Sequence, residues 1–184
     1  MWLLLVVVVV VVGWMIAAYN GLISLKNQTV NAFKQIDVQL KRRHDLIPNL
    51  VNAVKGAMDF EKSTLEAVIQ ARNQAIKAEG VKQISHAENA LSGALSRLMV
   101  VVERYPQLKA TANVGQLQEE LTSTENRIAF SRQLYNDTAT QYNTKQEQFP
   151  TRLVAGLAHA QPAELWEIDV AAERAVPKVD LSVR

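Results

Sequence analysis

A chain of 184 residues with 48% hydrophobic and 21% charged side chains has the material for one domain with a sizeable core, and is too apolar for a disordered segment. It contains no cysteine, which excludes disulfides, thiolate nucleophiles and cysteine-bound zinc or iron–sulfur centres. The formal charge is only +2, with 20 cations spread among 18 carboxylates, so no nucleic-acid partner is implied.

The first element is the most decisive. Trp2 to Ala18, "WLLLVVVVVVVGWMIAA", is roughly 17 residues without a charge, or about 26 Å of helix. Trp2 stands at one end and Trp14 and Tyr19 at the other, where such rings favour a membrane–water boundary. The fit improves if the helix runs on through "YNGLISL", and residues 1–25 are expected to form a transmembrane anchor in a lipid bilayer. A cleaved signal peptide fits less well, because no basic segment comes first and Ile16 spoils the small-x-small pattern before a cut after Ala18. A buried strand is the other alternative, since the run Val6 to Val12 favours extended structure in water; the aromatic flanks speak against it. Lys26, Lys34, Lys41, Arg42 and Arg43 come after the anchor and no cation precedes it, so the positive-inside rule predicts a cytoplasmic location for the helices beyond it.

From Leu22 the apolar residues recur at Leu25, Phe33, Ile36, Leu40, Ile47, Leu50 and Val54, in steps of three and four that draw one stripe on a helix. Thr29 and Arg43 interrupt it. The segment "LKRRHDLIPNLV" joins three cations to a proline. Pro48 cannot donate to the carbonyl of residue 44, so the helix is expected to kink there or to restart with Asp45 as its N-cap. Arg43 lies on the stripe, where an unpaired charge is costly, so a carboxylate from another helix is expected to meet it; Glu88, Glu119 and Glu125 are the candidates. The alternative is that Arg43 snorkels to water along the edge of the stripe. The phase continues through Met58, Leu65, Val68 and Ile76, which argues for one long helix. Gly56, Asp59 and the capping pattern "STLE" from Ser63 argue for a break between residues 56 and 63.

Gly80, after "IKAE", predicts a helix end with positive φ. A second stripe of Val81, Ile84, Leu91, Leu95, Leu98, Val102 and Tyr105, with Glu88 as its exception, is closed by Pro106. Asn113 is placed to cap a third helix whose stripe, from Leu117 and Leu121 through Thr124, Ile128, Ser131, Tyr135 and Thr138 to Tyr142, is polar for a core. Asn126, Arg127, Arg132, Tyr135 and Asn136 offer a polar network that would fix helix register. Pro150 ends this helix. A brief apolar piece, "RLVAGLA", and a tail containing Pro162 and Pro177 come next, expected as a short helix of a turn or two and an irregular tail. The sum is an all-α chain: an N-terminal transmembrane helix, an antiparallel, up-and-down four-helix bundle over 26–149, and a C-terminal segment over 150–184.

Nothing in this pattern points to catalysis. His44, His86 and His159 lie on separate segments without the spacing of a metal site. No glycine-rich phosphate loop or nucleophile motif is present, and carboxylates such as Glu119 and Glu120 read as a solvated face. No catalytic residue, metal or cofactor is expected.

The motifs "RRHDLIPNLVNAVKG", "LSGALSRLMVVVERYPQLKA", "LQEELTSTENRIAFSRQLYN", "FPTRLVAGL" and the closing "PKVDL" succeed a membrane segment in the order seen in the LemA proteins of bacteria, which this chain resembles along nearly its whole length. "AHAQPAELWEI" is not a close match, and the lysines often found before the membrane segment are missing. The resemblance implies a single-pass membrane protein with an antiparallel bundle of four helices, and hence the break near residues 56 to 63. It implies a cell-envelope component and names no activity.

Together these readings predict a non-enzymatic scaffold of the bacterial inner membrane that works through self-assembly or through other envelope proteins. The alternatives are an adaptor or accessory to a membrane protease or phosphatase, or a small hydrolase. Leu22, Leu25 and Phe33 lie just past the bilayer, where an uncovered stripe would mark a homo-oligomer contact. The competing expectation is that the helix ending near Phe149, or "TRLVAGLA", folds back and covers that stripe.

Overall fold

A computed structural model describes residues 1–56, 61–109 and 111–167, and the fold is all-α. Among the described residues the elements are α1 (Trp2–Lys55), α2 (Lys62–Lys77), α3 (Gly80–Val102), α4 (Pro106–Lys109), α5 (Ala112–Glu147) and α6 (Thr151–Leu157), with no strand. Two compact units share the described residues: Met1–Leu46 with Gln118–Leu165, and those of Ile47–Leu117 with residues 166–167.

α1 is one helix of 54 residues, about 80 Å long. It runs through Pro48 without interruption, so the restart at Asp45 does not occur. Asp45 is instead an exposed partner of Lys41, with Nζ and Oδ2 3.2 Å apart. Helical hydrogen bonds and packing on both sides of the proline outweigh its missing donor: Leu40 and Arg43 are buried before it, and Ile47 and Leu50 around it. The boundary between the units falls between Leu46 and Ile47, beside this proline.

In the first unit α5 runs antiparallel to α1. Leu22 shares a cluster with Tyr142, Phe33 meets Tyr135 edge to face with ring centroids 5.6 Å apart, and Arg43 meets Glu125. The threonines of the polar stripe of α5 are accommodated at little cost because their hydroxyls bond within their own helix. Thr124 Oγ1 donates to the carbonyl of Glu120 at 2.7 Å and Thr138 Oγ1 to that of Leu134 at 3.0 Å; on α1, Thr29 donates in the same way to Leu25. α5 begins at Ala112, one residue before Asn113, and the carbonyl of Thr111 accepts from the amides of Val114 and Gly115. The first-turn acceptor is therefore two positions earlier than a cap by Asn113 requires.

In the second unit α1 stops at Lys55 and α2 starts at Lys62, so the expected break is present. Met58 and Asp59 lie outside the described residues. Ser63 does not cap α2: Glu61 occupies that position and makes no side-chain cap bond. α2 and α3 form a helical hairpin across Ala78 and Glu79, where Gly80 has the positive φ, 75°, that its place in the sequence predicts. Val68, Leu91, Leu98 and Val102 are buried, as is Glu88, the polar exception in its stripe. α6 is the helix expected from the piece "TRLVAGL". Pro177 and "PKVDL" lie outside the described residues.

Candidate functional site

Two features stand out: an uncovered apolar N-terminal stretch of α1, and the polar fastening of the unit that adjoins it. From Trp2 to Ile16 the large apolar side chains of α1 are exposed, Trp2 at 83% and Ile16 at 57%, whereas Leu22 is at 2%. α1 is long and apolar enough to cross a membrane, with a mean hydropathy of 2.6 over its best 18-residue stretch, none of which is covered by the rest of the chain. Water disfavours such a surface, at about 25 cal/mol per Å². Valine side chains on every face give it no preferred neighbour, and Gly13 is its one small position.

Just past this stretch the chain covers itself. Leu22, Tyr142, Val154 and Ala155 form a buried cluster, with Ala18, Leu25, Ala160 and Ala163 packed against it, and Phe33 is half-buried on Tyr135. Leu22, Leu25 and Phe33 therefore do not form the open stripe expected to receive a second copy. The end of α5 and α6 fold back over the stripe, because the reversal at Pro150 brings Val154 and Ala155 to the face that Leu22 presents.

Arg43 is buried, as its place on the stripe predicts, and its Nη1 lies 3.1 Å from Glu125 Oε2. Glu125 is one of the three carboxylates expected to meet it. Its side chain is 42% exposed against 3% for Arg43, so the pair runs from the core to the surface. Arg42 reaches Glu120 at 3.8 Å in the same way, both partners being partly in water. Asn126 and Arg127 face solvent and take no part in a buried network; Tyr135 is buried and Arg132 and Asn136 are half-buried.

A strap that sequence reasoning left irregular completes the unit. Asn143 Nδ2 donates to the carbonyl of Ala163 at 2.9 Å, and the amide of Ala163 donates to Asn143 Oδ1 at 2.8 Å. Tyr135 Oη donates to the carbonyl of Glu164 at 2.6 Å. Burial, and then the Glu164 carboxylate, push the Tyr135 phenol above its ordinary range, and burial alone raises that of Tyr142. No sequence signal marks Asn143, because its partner is main chain twenty residues away. In the second unit Ser85 Oγ donates to the carbonyl of Glu167 at 2.5 Å, with Lys82 3.9 Å from the Glu167 carboxylate. Among the described residues no three His, Asp or Glu side chains converge as metal ligands. Asn143, Glu147, Arg152 and His159 line a shallow groove of about 490 Å³ at the end of α5.

The family model for LemA matches residues 32–181 of this sequence, which is most of the chain. The chain belongs to the LemA family. Protein LemA of Metamycoplasma hominis is 26% identical over 166 residues, covering 88% of this chain and 72% of the relative. Magnetosome protein MamQ 2 of Paramagnetospirillum magneticum is 24% identical over 186 residues, covering 87% of this chain and 68% of the relative. Magnetosome protein MamQ of Magnetospirillum gryphiswaldense is 25% identical over 158 residues, 72% of this chain and 58% of the relative. The family and the apolar N-terminal stretch of α1 together fit a membrane-associated helical protein.

Proposed function

We propose that this LemA-family chain is a non-enzymatic, membrane-anchored scaffold that acts by self-assembly or by binding other proteins of the bacterial envelope. The observation that carries the reading is the change along α1, from exposed apolar side chains up to Ile16 to a packed face from Leu22 onward. One continuous helix then serves as both anchor and core element, which ties the first helical unit directly to the membrane surface. The described polar groups support a structural role: Arg43 is held by Glu125, Tyr135 by a carbonyl, and both ends of the Asn143 amide by Ala163. Since Leu22, Leu25 and Phe33 are covered from within, partners meet other faces of the molecule.

Membranes from cells producing the full chain, washed in alkaline carbonate, should retain it in the pellet, and quantitative release would overturn the anchor. Crosslinking in native membranes, followed by copurification in mild detergent, should return a discrete assembly. A chain that runs alone as a monomer in every mild detergent and yields no crosslinked species would end the scaffold reading.

A further inference from the structure

The end of the first unit nearest the apolar stretch carries a second apolar surface. α5 runs back along α1 so that Tyr142 sits with Leu22, and its last residue, Glu147, lies about 7 Å further towards that stretch. There the chain reverses through Phe149 and Pro150 into α6. Val154 and Ala155 of α6 enter the Leu22 cluster, against which Ala18, in the uncharged segment that ends at Leu25, is packed. With those two turned inward, helical spacing turns Leu153 and Leu157 outward. They are 61% and 72% exposed, and Phe149 is 83% exposed.

We propose that Phe149, Leu153 and Leu157 form a lipid-docking surface, entering the interfacial layer of the same bilayer that α1 crosses. This rests on the reading of α1 as a membrane anchor. A bilayer is favoured as occupant because the cluster that seats α6 also takes Ala18, whose neighbours along α1, Ile16 and Tyr19, are 57% and 47% exposed. Arg152, exposed between Phe149 and Leu153, supplies a cation at the depth of lipid phosphates. So small a patch would hold a free protein only weakly. Tethered by α1, it meets the bilayer at high effective concentration, and three side chains suffice.

The chain has no native cysteine, so single-cysteine probes report one position each. Full-length Leu153→Cys, Leu157→Cys, Val9→Cys and Phe130→Cys would be labelled with an environment-sensitive fluorophore. Each is then reconstituted into phosphatidylcholine and phosphatidylglycerol vesicles containing nitroxide-labelled lipid. Phe130 is the control, since it is 70% exposed on α5 between the residues that meet Arg43 and Phe33. Probes at 153 and 157 should be quenched several-fold more than the probe at 130, and should stay quenched in about 1 M salt, where charge attraction is screened. Quenching at 9 but not at 153 or 157 would overturn the docking surface and leave the anchor standing. Quenching at none of the three would remove the anchor, and the docking surface with it. Loss of quenching at 153 and 157 in high salt would mean attraction through Arg152 alone and would overturn apolar insertion.

Discussion

Arg43 illustrates how a charge is carried inside an apolar stripe. Its stem fills core space while its guanidinium leads out to Glu125 at 3.1 Å, so water is reached through the partner. Arg43→Ala removes stem and pair together and should cost about 3 kcal/mol in urea melts of the full chain in detergent, whereas Arg43→Met keeps most of the volume and should cost well under half of that. Equal and small losses for both would show that the side chain is not part of the core. Tyr135 and Tyr142 set an alkaline limit. Their folded-state pKa values lie above the ordinary 10.0, so the folded chain keeps protons that the unfolded chain has lost. Their contribution is complete below about pH 10 and disappears as pH rises through the folded-state values. The urea midpoint should fall as pH rises above about 10, and Tyr135→Phe should lessen that fall while costing about 1 kcal/mol at neutral pH through the lost bond to Glu164. An unchanged alkaline slope in Tyr135→Phe would exclude its phenol as a cause.

α1 and its cover, α5 with α6, succeed or fail together. Leu22 is 2% exposed beneath Tyr142, Val154 and Ala155, so Leu22→Ala should cost about 2–5 kcal/mol, the range for emptying a packed core site. Leu25→Glu combined with Phe33→Glu puts two carboxylates against the same packing. It should lower the thermal midpoint measured by circular dichroism, with no loss of copies from any assembly, because these residues face their own chain. A double variant that keeps the wild-type midpoint and changes only its mass in detergent would restore the open stripe read from the sequence.

For the whole molecule, we propose that charge sets the membrane side on which the helices beyond the apolar stretch lie. Lys26, Lys34, Lys41 and Arg42 are exposed and come after the apolar stretch, which favours the cytoplasm. Ser85 is buried and hydrogen-bonded to the carbonyl of Glu167, so Ser96, which is exposed on α3, is the better site for a single cysteine. Ser96→Cys in intact cells should resist a membrane-impermeant maleimide and react once the cells are opened; ready labelling of intact cells would place the units outside.

The all-α class, the apolar stretch, the positive φ at Gly80 and the burial of Arg43 were legible in the sequence because each depends on neighbours three or four positions away or on one residue's backbone freedom. The caps at Asp45, Ser63 and Asn113 were misplaced. Capping side chains are a local preference of about 1 kcal/mol, and packing on either side of a helix end, or of Pro48, outweighs it. Three things were left to the tertiary structure: the meeting of Arg43 with Glu125, the closing of α6 over Leu22, and the fastening of Ala163 by Asn143. Each joins residues distant in sequence, through a chain reversal or a main-chain partner that carries no signature of its own, and no periodicity along one helix encodes such a meeting.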